Sequence, residues 1–170
     1  MVVTILSALM LMMARSPTLC SVGELKSSPG YSYRVDRIRQ FVDSASVIVR
    51  ARALASSTDD THVRFAILEH IRGPDSLSHL ELRGVLVARD DFNSGTVPYQ
   101  IVRSAGQRGD CHAQEYRAGA EYLLILQERG IEGLSPHWKP LAPFNEQLRG
   151  PDDPWLIWVR EVARGPRGSA

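Results

Sequence analysis

Three consecutive segments of alternating apolar and polar residues, separated by short turns, constrain this 170-residue chain more than any other feature. VIVRARALA (47–55) sets Val47, Val49, Ala51 and Ala53 on one side and Arg50 and Arg52 on the other. THVRFAILEHI (61–71) alternates through Val63, Phe65, Ile67 and Ile71. Side chains that change sides at every residue describe a strand with one face toward a core. The link Ser-Ser-Thr-Asp-Asp is a polar turn, which predicts a hairpin. RGPDS (72–76) is a second turn, and LSHLELRGVLV (77–87) a third strand in which Gly84 marks a bulge or kink. Strands this close in sequence pair as an antiparallel meander, because a parallel crossover needs about a dozen linking residues.

The flanking segments supply helices and further strands. Val35, Ile38, Phe41, Val42 and Ala45 recur at three- and four-residue spacing, which predicts a short amphipathic helix over 36–45. EYLLILQ (121–127), bounded by Gly119 and Gly130, is almost continuously apolar and predicts a strand buried on both faces. HWKPLAP (137–143) reads as one more strand, confined to an edge by Pro140. Asp153 can cap a helix whose first position is Pro154, and Trp155, Trp158, Val159 and Val162 then share one face over 153–163. Residues 88–108 are polar and Gly-rich and predict a long excursion with little regular structure.

The first fourteen residues, MVVTILSALMLMMA, carry no charge. The run is short of the roughly 20 residues that cross a bilayer and suits the apolar core of a secretion signal. Residues 1–19 are therefore read as signal peptide and leader, 20–163 as one domain, and 164–170 as a flexible tail. Cys20 and Cys111 are the only cysteines. Behind an export-like leader they read as one structural bridge in an oxidising compartment, with two buried, reduced thiols as the alternative. Twenty basic against nineteen acidic side chains leave a net charge of +1, without the basic excess of a nucleic-acid binder.

A cysteine after the leader, a helix, a strand meander, then Cys111 followed by Gly119 and by Tyr122, Leu123 and Leu124, is similar to the netrin-like domain. That family includes the tissue inhibitors of metalloproteinases. The resemblance runs from Cys20 to Leu126. It implies a mainly β (α+β) fold, a five-stranded antiparallel OB-like barrel with a short N-terminal helix, to which the C-terminal amphipathic helix is added. In the family the N-terminal cysteine pairs with the cysteine before the "YL" strand, which maps onto Cys20 and Cys111. Inhibition of metalloproteinases carries over poorly. It needs a C-x-C start and a free amino group on that first cysteine, whereas Ser21 and Val22 follow here and cleavage after Ala14 would leave residues in front.

Candidate chemistry is sparse. His112 beside Cys111 would point to the opposite face of a strand and pair with it only if the backbone turns. His70 and His79 would face each other in a hairpin centred on Pro74 and Asp75, but a third metal ligand is missing. Asp90, Asp91, Asn93 and Gly95 lack the spacing of a calcium loop. Asn145, Glu146 and Gln147 form an unusual polar cluster near two tryptophans. They are read as a candidate interaction surface, with a cap or loop network as the alternative. No catalytic residue, cofactor or metal site is expected.

The leading expectation is therefore an exported, non-enzymatic interaction module, monomeric, secreted or periplasmic, and without a membrane span once mature. Its protein partner lies in the envelope or extracellular space, and no nucleic acid is expected. The alternatives are a metalloprotease inhibitor acting through Cys20 and an OB-type binder of oligosaccharide or oligonucleotide, for which Arg50, Arg52 and Arg64 are the only hint.

Overall fold

A computed structural model describes residues 20–21, 32–56, 60–109, 111–128, 133–136 and 139–165. The expected leader, most of the arm that follows it and tail residues 166–170 lie outside the described residues. So do positions 137–138, in the stretch expected to form an edge strand.

The meander forms as expected. β2 (Val47–Ser56) pairs antiparallel with β3 (His62–Arg72), which pairs antiparallel with β4 (His79–Arg83). On its other side β2 takes β8 (Glu121–Glu128), and β8 takes β10 (Asn145–Leu148). The sheet order is β10-β8-β2-β3-β4, with β9 (Leu134–Ser135) on the far end of β8. Register shifts along β2 and β3 bend these strands, as a curling sheet requires.

Closure comes from two short parallel contacts that the sequence pattern does not announce. After β4 the chain turns at Gly84, whose φ is +151°. A Cβ there would stand 2.3 Å from the Gln114 carbonyl oxygen and 2.6 Å from the Tyr116 ring, so only glycine fits. β5 (Val85–Val87) then lies parallel to β7 (Glu115–Arg117), and Phe92 bridges in parallel to Gln147 of β10. The segment that continues from β4 meets β10 there, giving a nearly closed, mainly antiparallel barrel of five strands, OB-like in architecture.

Two apolar layers hold it. Val47, Val49, Ala51, Ala53, Val63, Phe65, Leu80, Leu82, Tyr116, Tyr122, Leu124 and Leu126 fill the barrel. Ile48, Leu123 and Ile125 point outward, beneath α1 (Val35–Ser44) and α2 (Pro154–Arg164). β8 is therefore buried on both faces, which is why its sequence is apolar without alternation. Its run from Tyr122 to Leu126 removes five side chains from water. At about 2 kcal/mol each, this contributes on the order of 10 kcal/mol, an upper bound because unfolded chains are already partly compact.

α1 starts one residue earlier than expected and buries Ile38, Phe41 and Val42, followed by Ala45. α2 begins where its cap predicts: Asp153 accepts a 2.9 Å bond from the Trp155 N–H, and Pro154 takes the first position. Its buried stripe is Trp155, Leu156, Val159 and Val162. Trp158 is only half-buried and stacks on Trp155 with centroids 5.2 Å apart. Arg72, at the end of β3, donates to the Asp43 carbonyl at 2.9 Å and the Ala163 carbonyl at 3.4 Å. One guanidinium thus meets the carbonyl-rich ends of both helices, where a cation is stabilised. Arg160 of α2 grips Glu69 of β3 with two bonds of 2.8 and 2.5 Å. That guanidinium holds the Glu69 carboxyl below its usual range.

Candidate functional site

Asn145, Glu146 and Gln147 do not form an exposed surface. They make up most of β10, the fifth barrel strand, and all three are buried. The strand starts here and not in HWKPLAP because Pro140 and Pro143 offer no N–H to a ladder. The chain turns at 140–141, with Leu141 at a φ of +60°.

Their partners come mainly from the excursion over 88–108, which carries a short 3-10 turn at Ser104–Gln107 and the two-residue strand β6 (Arg108–Gly109). At its centre is Arg103, 1% exposed. Its Nε donates to the Asn145 carbonyl at 3.0 Å, Nη1 to Asp91 at 2.7 Å and Nη2 to the Glu115 carbonyl at 2.7 Å. The guanidinium carbon stands 5.4 Å from the ring centroids of both Tyr116 and Tyr122. A buried cation needs this much compensation, since desolvation alone costs several kcal/mol.

Glu146 is fully buried and accepts from the Arg103 backbone N–H at 3.1 Å and from the Asn93 amide at 3.0 Å. Burial pushes its carboxyl up to about 7, against the pull of the Arg103 charge and these two bonds. Asn145 donates to the Tyr116 hydroxyl at 2.8 Å. Burial drives that phenol up to about 12, so it stays neutral. Gln147 accepts from the Asp91 N–H at 2.8 Å and donates to Asp90, which also takes the Arg117 guanidinium at 3.0 Å.

The cluster lies where the barrel closes through the Phe92–Gln147 bridge. Side-chain bonds from β10 to the 88–108 segment do there what ladder bonds do on the antiparallel side. Buried polar groups with every partner in place fix one arrangement of the chain, and the cluster is a closure lock in this sense.

The remaining candidates separate. β3–β4 register sets His79 opposite Ala66, while His70 lies beside Val49 of β2, so the imidazoles do not face each other. The hairpin is centred off Pro74 and Asp75, which shifts the pairing. Asp90, Asp91 and Asn93 spend their oxygens on Arg117, Arg103, Gln147 and backbone N–H groups, and form no calcium loop. Among the described residues no group of three or more His, Cys, Asp or Glu side chains is arranged to hold a metal ion. Cys111 sits in a bend with φ +62°, so the backbone does turn beside His112. Arg50 and Arg52 are committed to Glu121, and Arg64 to Glu81.

Two surface features lie apart from the lock. Cys20–Ser21 form β1, which pairs antiparallel with β6 so that Cys20 stands opposite Gly109. A groove of about 460 Å3 opens beside β4, lined by Arg64, His79, Leu80 and Glu81. No helix among the described residues is long and apolar enough to cross a membrane. No protein-family model matches the chain, and no curated protein matches it.

Proposed function

We propose that the chain is an exported, non-enzymatic protein-binding module of netrin-like type, with its N-terminal arm tied to an OB-like barrel by a Cys20–Cys111 bridge. The observation that carries this reading is the β1–β6 pairing. It sets Cys20 opposite Gly109, two positions before Cys111. Among the described residues no cysteine is a free thiol, in keeping with a bridge at Cys111. A bridge of this kind persists in an oxidising compartment, in keeping with the uncharged apolar leader. The barrel frame supports the family resemblance at the level of architecture.

The test is expression of the full chain in a bacterium, followed by fractionation, N-terminal sequencing and thiol counting. The expected result is an exported product lacking the leader, with no thiol that alkylates before reduction. A full-length cytosolic product with two reactive thiols would overturn the proposal. A product beginning at Cys20 would favour the inhibitor alternative, since its amino group would then be free. The groove beside β4 favours carbohydrate as a second reading, because OB barrels bind oligosaccharides on the corresponding face. Direct titration with oligosaccharides separates that reading from a protein partner.

A further inference from the structure

We infer that the outer edge of β4 is the docking edge of this module, and that it accepts an extended acidic segment of a protein partner as an added strand. This rests on the protein-binding reading above and names where the partner binds and with what chemistry.

The backbone argument comes from register. Ile67 donates to the Ser78 carbonyl at 3.0 Å at one end of the β3–β4 ladder, and Gly84 donates to the Thr61 carbonyl at 2.9 Å at the other. Hydrogen-bonded pairs alternate along an antiparallel ladder. With Phe65 opposite Leu80 and Val63 opposite Leu82, those two leucines turn their backbone groups toward β3. His79, Glu81 and Arg83 therefore turn their N–H and C=O groups away from it. Among the described residues no strand pairs with that side. Three residues' worth of outward donors and acceptors, on a strand with no proline, is the template used in strand addition.

The side chains define the partner. His79, Glu81 and Arg83 are exposed, while Leu80 and Leu82 face the core. Glu81 is already committed to Arg64, at 3.6 Å. Arg83 makes no ion pair among the described residues, and His62 is its cross-strand neighbour. The edge thus offers an uncompensated guanidinium with the His62 imidazole across from it, and the groove opens beside the His79 end of the strand. A second copy of β4 laid antiparallel in centred register would set Glu81 against Glu81 and His79 against Arg83. Like charges directly opposite are destabilising, so self-pairing is opposed. A strand with carboxylates opposite His79 and Arg83 and a neutral residue opposite Glu81 meets no such penalty and gains Arg83.

The test uses the purified protein and the capped synthetic peptide Val-Glu-Val-Thr-Val-Glu-Val, which sets Thr opposite Glu81 and Glu opposite His79 and Arg83, with a Lys-for-Glu peptide as control. The expected result is that saturating acidic peptide slows exchange of the His79, Glu81 and Arg83 amides by about tenfold or more. Glu81→Pro removes an outward N–H without touching a β3–β4 bond, and should weaken binding about tenfold with the unfolding midpoint kept. Glu81→Thr, which keeps that N–H, should bind within about threefold of the parent. Arg83→Glu, which leaves the backbone edge intact, should weaken binding about fivefold or more. The inference is overturned by unslowed amides at millimolar peptide, by protection at another face, by equal binding of the lysine peptide, or by self-association through β4. An envelope partner that binds Glu81→Pro as tightly as the parent overturns the edge while leaving the module reading in place. A chain retained in the cytosol overturns the module reading and leaves peptide binding at β4 to be judged by its own result.

Discussion

At the residue scale, Glu146 carries the most consequential chemistry in the described structure, and in sequence it is one carboxylate among nineteen acidic side chains. Its carboxyl is raised from 4.5 to about 7, chiefly by burial. Between those two values the folded chain holds a proton that the unfolded chain has released. The stabilisation is therefore fully present below the unfolded value and is lost as pH rises through the folded one. The loss amounts to on the order of 3 kcal/mol from pH 4.5 to above 7. Urea unfolding of Glu146→Gln, which cannot ionise, should show the parent losing stability relative to the variant across this window. A constant difference between them would show that Glu146 does not titrate there. The variant itself should be less stable at acid pH, because Asn93 and Arg103 both present N–H groups to this position and a primary amide accepts on one side only.

At the scale of elements, the clearest sequence signal and the clearest structure coincide at α2. The pair Asp153-Pro154 states where the helix starts, and both oxygens of the aspartate are used. Oδ1 accepts the Trp155 N–H, and Oδ2 accepts the Arg149 N–H at 2.9 Å. Asp153→Ala should therefore cost about 2 kcal/mol, the upper end for a lost cap, because it also strands the Arg149 donor. Asp153→Asn should recover only the share owed to the Trp155 bond, since its amide accepts on one side and leaves the Arg149 N–H unmet, and thermal unfolding of the two variants gives the comparison. β10 is the opposite case. NEQL has neither the alternation nor the β-branched content of a strand, so it reads as a loop. It is a strand because Arg103, Asn93 and Asp91 supply partners for its polar side chains from the 88–108 segment. Local pattern cannot report partners that lie 40 or more residues away.

At the scale of the whole molecule, Cys20 and Ser21 meet Gly109 and Arg108 through the β1–β6 pairing. The proposed bridge would close a loop of about 90 residues, which in the chain-entropy model stabilises the fold by about 4 to 5 kcal/mol. Cys20→Ser should lower unfolding stability by that order. Reduction of the parent chain should do the same, and reduction should leave the serine variant unchanged. If both chains respond equally to reductant, the arm is held by the β1–β6 pairing and not by sulfur. The contrast is informative because the backbone pairing spans only two residues on each side and could not by itself hold the arm against chain entropy.

The sequence by itself determined the meander, the doubly buried β8, both helices, the kink at Gly84 and the start of α2. Each of these is set by contacts or caps within a few residues, or by an apolar period that must face a core. Tertiary structure alone decided the parallel closure, the identity of the fifth strand and the fate of Asn145, Glu146 and Gln147. Those depend on pairing between segments distant in the chain, where polar residues are buried by satisfying one another, and hydrophobic patterning carries no record of such arrangements.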